Sequence, residues 1–126
     1  DQEVYIDGVA DYELISRHDI FIEGIKRLEK GIRKYTIAMM CAEKDPINCH
    51  RAILICKVLR NQYSIWHIHH DGDIESHEDL EKRLLKLNTK KSKCGQSSLS
   101  SLIDDDFFLD NAYRAQNYRI AKIKKK

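Results

Sequence analysis

The pattern of this chain predicts an α/β fold with a parallel βαβ unit at its centre. Three observations carry that expectation. "YTIAMMC" (35–41) is a short, continuous apolar run of the kind that a strand buried on both faces shows. "YSIWHIHH" (63–70) is a second run, rich in aromatic and β-branched residues. Between them, Ala52, Ile53, Ile55, Cys56 and Leu59 recur at helical spacing. Strand, helix and strand of these lengths make a unit whose strands are parallel and whose crossover is right-handed.

Residues 1–15 read as irregular, with one short strand at "EVYI" (3–6). Ser16 is placed to cap a helix over 17–33, with Asp19 facing its positive end. Ile20, Phe21, Ile25, Leu28 and Ile32 share one face of it, while Gly24 and Gly31 weaken it, so tertiary packing must hold it. Pro46 ends regular structure after the first strand, Asn48 or Cys49 opens the next helix, and "NQY" (61–63) closes it. "DGD" (71–73) is a turn, and "SHED" (76–79) is a capping-box-like start, with Asp in place of Glu, for a helix to about Asn88. "NTKKSKCGQSSLSS" (88–101) has the composition of a polar linker. "DDFFLDNAYRAQNYRIAKI" then predicts a last helix with Phe108, Ala112, Ala115, and Tyr118 or Arg119 along one face. The expected organisation is an α/β domain over 1–88, then a linker, C-terminal helix and basic tail over 89–126.

The bulk properties bound the function classes. At 126 residues, 42% hydrophobic and 33% charged, the chain suits one globular domain. No apolar run approaches the roughly 18 residues of a membrane span, so no membrane partner is expected. The start lacks both a basic n-region and an apolar h-region, so it is not a signal peptide; without a leading Met, it is expected to be a processed or trimmed chain. Cys41, Cys49, Cys56 and Cys94 do not form a disulfide framework, which points to a reducing, cytoplasmic setting. No CxxC pair occurs, which excludes a zinc ribbon or a thioredoxin motif. A net charge of +2 does not by itself imply nucleic acid. The charge is uneven, however: residues 113–126 carry six Lys or Arg and no acid, after four Asp in "IDDDFFLD". That basic end is either a solvated terminus or a phosphate-binding arm.

The chemistry concentrates in "CAEKDPINCHR" (41–51). In a βαβ unit Cys41 ends the first strand and His67, His69 and His70 end the second, while Cys49, His50 and Arg51 begin the helix between them. This is the edge where open α/β sheets bind ligands. Amides at a helix start attract an anion, and Arg51 can clamp it. Four uses stay open. Cys49 is a nucleophile with His50 or His67 as base, although the spacing is not the cysteine phosphatase pattern. Cys41 and Cys49, with His67 or His69, hold a metal. Cys41 and Cys56 are small core residues, and a Glu43–Arg51 ion pair braces the loop. Or Arg51 and the helix start bind a phosphate, a nucleotide or a nucleic-acid backbone without covalent chemistry. His18 and His77 are expected to be exposed, Trp66 to be core, and Cys94 to be a free linker thiol.

"MMCAEKDPINCHR" resembles the bacterial and archaeal family known as domain of unknown function 488, whose mark is a strand ending in Cys-x-Glu, a Pro-containing loop, and Cys-His-Arg opening a helix. Here these are Cys41, Glu43, Pro46, Cys49, His50 and Arg51. "HIHHDG" (67–72), Phe21, Gly24, Ile25 and Leu28, and "AYRAQNYRIA" are similar to further parts of the family pattern. The resemblance covers roughly 12–88 and implies the C-terminal half of a doubly wound, Rossmann-like three-layer domain. The family's Gly-His-Ser-like turn and Asp-Val-Arg segment have no counterpart here, so its N-terminal half is expected to be absent. Uncovered sheet edges would then pair with a second copy, or "EVYI" would extend the sheet. The candidate set is Cys49, His50 and His67 for catalysis, and Cys41, Glu43, Arg51 and Asp71 for ligand contact. The expected function is a pocket for a phosphate-bearing ligand, a nucleotide or nucleic acid. Its rivals are a non-enzymatic interaction module and a metal site; the cofactor is left open.

Overall fold

The computed structural model describes residues 2–89 and 103–121. Cys94, nearly all of the Ser-rich linker and the basic tail from residue 122 lie outside the described residues.

The chain opens with a 3-10 turn, Gln2–Val4, and a small hairpin of β1 (Tyr5–Ile6) and β2 (Val9–Ala10). Asp7 and Gly8 turn it with positive φ at both positions (50° and 79°), the geometry that matches strand twist in a two-residue loop. "EVYI" therefore folds back on its own neighbour and does not extend a larger sheet. A short helix, α1 (Tyr12–Arg17), forms where irregular chain was expected, and the helix expected over 17–33 follows it as α2 (Asp19–Ile32). Asp11 caps the first by accepting the Leu14 N–H, and the His18 ring caps the second by accepting the Ile20 N–H. Ser16 caps neither; its hydroxyl donates to the Glu13 carbonyl. A 3-10 turn (Pro46–Asn48) leads to a π-helical turn (Arg51–Cys56) that continues as α3 (Lys57–Leu59). A hairpin of β3 (Trp66–Ile68) and β4 (Ile74–Ser76) follows, then α4 (His77–Thr89) and α5 (Ile103–Ile120). Ser76 accepts the Asp79 N–H, so the cap read from "SHED" forms.

Mixed helix and strand content is present, but among the described residues the parallel βαβ core is not. Both sheets are two-stranded and antiparallel. Residues 36–41 belong to no strand, and Tyr35 (71% exposed) and Met40 (94%) face water. A groove of about 590 Å³ separates Ile37 and Met39 from Ile65 and Trp66. Parallel pairing needs backbones about 4.8 Å apart, which the groove prevents. Trp66 is consequently 64% exposed rather than core.

The core gathers Ile47, Ala52, Ile53, Leu80, Leu84, Ala112 and Tyr113, so α5 packs into the same interior as the central loop and α4. The inner face of α5 carries Ala112, Tyr113, Gln116 and Asn117, one position away from the expected stripe, while Phe108 and Tyr118 are half exposed. The reason is polar. The Asn117 amide donates to the Ala10 carbonyl and accepts the Tyr12 N–H. The Gln116 amide donates to the Ile47 carbonyl. Short elements leave backbone groups open, and buried groups of that kind need partners.

Candidate functional site

The loop at 41–51 is shaped by Asp45 and Pro46. Asp45 accepts the Ile47 N–H at 3.1 Å, and Pro46 takes the first position of the 3-10 turn, where a missing N–H costs nothing. Arg83, from α4, grips the loop from outside. Its guanidinium donates to both Asp45 oxygens (3.0 and 3.2 Å) and to both Glu75 oxygens (2.6 and 2.8 Å). Arg83 beside it holds the Asp45 carboxyl below its ordinary value. The brace of this loop is thus Asp45–Arg83, and the expected Glu43–Arg51 pair is not formed among the described residues.

Within the loop, Cys41 and Cys49 form a thiol pair. Cys49 is 1% exposed; its sulfur accepts the Arg51 N–H at 3.4 Å and lies 4.0 Å from His50 Nδ1. Cys41 is half-buried and bonded to the Cys49 thiol, with the amides of Glu43 and Ala42 also directed at its sulfur. These contacts, the Cys49 thiol first, lower the Cys41 pKa, with a smaller contribution from the Arg51 charge. Burial, then the neighbouring Cys41, pushes Cys49 up to about 11. The favoured thiolate is therefore Cys41, not Cys49. The ligand atoms of Cys41, Cys49 and His50 all lie within 4.8 Å of one another, a donor set that suits a thiophilic divalent ion with one open position.

A second constellation lies deeper, where the helix after the loop meets the β3–β4 hairpin. The wide π-helical turn, a departure from α geometry that is frequent at functional sites, carries Arg51 and Cys56. His67, on β3, and His77, at the start of α4, are buried with their Nε2 and Nδ1 atoms 2.9 Å apart. His77 Nε2 is 2.7 Å from the Tyr113 hydroxyl, which donates to Glu81 at 3.0 Å, and Glu81 pairs with Arg60. Cys56 completes the group: its sulfur and a ring nitrogen of each histidine lie within 4.8 Å of one another. Desolvation lowers both histidines from 6.5 to about 4 and raises Cys56 to about 12.

The candidate residues therefore divide. Cys41, Cys49, His50 and Arg51 come together. His67 leaves them for the buried group. Asp71 stays in its own exposed turn, accepting the Asp73 N–H, and Glu43 is exposed. His69 pairs with Glu75, which links it to Arg83. His77 had been expected at the surface, and Tyr113, Glu81, Arg60 and Arg83 carried no expectation. A usable signal for His77 was the hairpin: "HIHHDGDIESH" turns at Gly72 and returns its last His beside Ile65, two residues from His67.

No helix among the described residues is long and apolar enough to cross a membrane. No curated protein and no solved structure matches the chain. Residues 2–58 match the family profile described as Domain of unknown function DUF488, a span that contains the complete Cys41–Arg51 signature. Over that span the chain is similar to the DUF488 family.

Proposed function

We propose that the 41–51 loop is a thiol-bearing pocket for a phosphate-bearing ligand, with a nucleotide or nucleic-acid phosphate as the ligand class. The observation that carries this reading is the freedom of Arg51. Arg83 braces the loop, and no carboxylate pairs with Arg51 among the described residues, so its guanidinium is available to an anion. Arg51 holds the phosphate, and the Cys41 sulfur stands beside it as the nucleophile. Cys49 supports that sulfur as a hydrogen-bond donor, and exposed His50 exchanges protons with solvent. A free thiol pair of this kind suits a reducing, cytoplasmic setting.

Alkylation by iodoacetamide, resolved by cysteine and followed against pH, tests the reading. Cys41 should react at lower pH than Cys49 and Cys56, and inorganic phosphate should slow it. Arg51→Ala should remove that protection. Equal pH profiles for Cys41 and Cys49, or no effect of phosphate, would end the reading. If residues 122–126 act as a nucleic-acid arm, affinity falls steeply with salt, and deleting them reduces the slope.

A second reading is favoured by the apolar surface around the groove. Trp66, Ile68 and Ile74 are each more than 60% exposed, and among the described residues one edge of β3 is open. A second copy pairing at that edge would cover them and build toward the larger Rossmann-like sheet. Sedimentation velocity across a concentration series decides it: association that Ile68→Lys abolishes supports the pairing, and a monomer at all concentrations removes it.

A further inference from the structure

We infer that Cys56, His67 and His77 form a second site, which binds a borderline-soft divalent metal ion such as zinc. The three residues come from the π-helical turn, β3 and the start of α4, and all are buried. Zinc–nitrogen bonds of about 2.0–2.1 Å at a tetrahedral angle set two imidazole nitrogens about 3.3 Å apart, and a thiolate at about 2.3 Å lies about 3.5 Å from each. The observed separation of His67 Nε2 and His77 Nδ1 is 2.9 Å, and the sulfur falls inside the 4.8 Å span. An ion is accommodated by opening the histidine pair by a few tenths of an ångström.

The protonation states are already arranged. Tyr113 donates its hydroxyl proton to Glu81, so the Tyr113 oxygen accepts from His77 Nε2–H, and the His77 Nδ1 lone pair is left pointing at His67. Such a contact fixes the tautomer of a metal-bound histidine: the distal nitrogen donates toward a carboxylate, here through a tyrosine. The Arg60 guanidinium holds that carboxylate in turn. His67 now donates its Nε2 proton to His77; on binding it carries the proton on Nδ1 instead. Cys56 gives its S–H proton to solvent, so one proton is released for each ion bound. Cys56 takes no part in the His67–His77–Tyr113–Glu81 chain, and hydrogen bonding within that chain does not account for its position. Cys56 and His67 also line the groove, together with Arg51. The fourth coordination position therefore opens toward the groove, where water or a small anion beside Arg51 can occupy it.

Cobalt(II) titration of the full chain is the test, because a thiolate ligand gives a charge-transfer band that nitrogen and oxygen ligands do not. The background is Cys41→Ser/Cys49→Ser/Cys94→Ser, which leaves Cys56 as the one thiol. The expected result is one bound cobalt with a thiolate band, displaced by zinc. Adding Cys56→Ser should remove the band and weaken binding at least tenfold, with the circular dichroism of the metal-free chain unchanged. His67→Gln should weaken binding to a similar degree. Absence of cobalt binding in a folded background variant overturns the inference, and so does a band that survives Cys56→Ser. If the background variant does not fold, the wild-type chain is compared with Cys56→Ser alone. A reduced thiolate band then supports the site, and an unchanged band assigns the ion to the Cys41–Cys49–His50 loop and overturns it.

Discussion

The loop cluster and the buried cluster use the same side chains in opposite surroundings. Each combines cysteine with histidine, and the charge of Arg51 acts on both. In the loop, the half-buried Cys41 sulfur collects a thiol and two backbone amides, and its pKa falls. In the interior, Cys56 has lost water without gaining comparable donors, and its pKa rises to about 12. Residue type does not decide reactivity here. The balance of desolvation against hydrogen bonds to the charged form does. The loop gathers hydrogen bonds that favour a thiolate; the interior keeps its histidines neutral, the form in which an imidazole can ligate a metal, whereas Cys56 must still give up its proton.

The largest expected effect breaks the interior alone. Tyr113 is 2% exposed, joins the core, bonds His77 and Glu81, and lies under the cations of Lys57 and Arg60. Tyr113→Ala should cost about 3–5 kcal/mol in urea unfolding, the range for removing a large buried ring. A cost below about 1 kcal/mol would mean that this cluster is not structurally central.

Acid separates the two regions next. His67 and His77 are held at about 4 in the folded chain by desolvation, and recover an ordinary 6.5 on unfolding. Mutual repulsion and Arg51 add to the lowering at His67, and Arg60 adds at His77, while Glu75 opposes it at both. As pH falls below 6.5 the unfolded chain binds protons that the native chain refuses. Stability is therefore full above 6.5 and declines toward pH 4, by on the order of 3 kcal/mol for one such histidine and by less than twice that for the coupled pair. Urea midpoints measured at steps from pH 7.5 to 4 check this, and the decline should be shallower in His67→Gln. A flat profile would contradict the desolvated pair.

Arg83→Ala should act on the loop rather than the interior. Arg83 is about one-third exposed, so its two ion pairs are screened, and the loss should be about 1–2 kcal/mol. The sharper readout is alkylation: Cys49 should become markedly more reactive as the loop loosens, while Cys56 changes little. Arg51→Ala stands at the small end. It should change stability by about 0.5 kcal/mol or less and still abolish phosphate protection of Cys41. A large stability loss would return Arg51 to a bracing role.

Local features were legible where short-range chemistry decides them. The "DGD" turn, the Ser76 cap, the helix after Cys49 with Ala52, Ile53, Cys56 and Leu59 inward, and the meeting of Cys41, Cys49, His50 and Arg51 are all near-neighbour events. Trp66 was misread because an aromatic residue in a strand is core only if a neighbour covers that strand, and β3 has a single partner among the described residues. The stripe of α5 was misread because Gln116 and Asn117, polar by composition, are drawn inward by open backbone groups of distant segments. His77 was misread because the β3–β4 hairpin, not the first turn of its own helix, sets its surroundings.

The amino-acid order alone was enough to specify the family signature, the turn and cap residues, and a loop in which two cysteines, a histidine and an arginine converge. These follow from chain connectivity over a dozen residues, within which the backbone leaves few alternatives. Tertiary structure alone decided which arginine braces the loop, which cysteine favours the thiolate, and that His67 and His77 meet under Tyr113. Those outcomes depend on desolvation and on partners dozens of residues away, and both come into being only when the helices and hairpins pack.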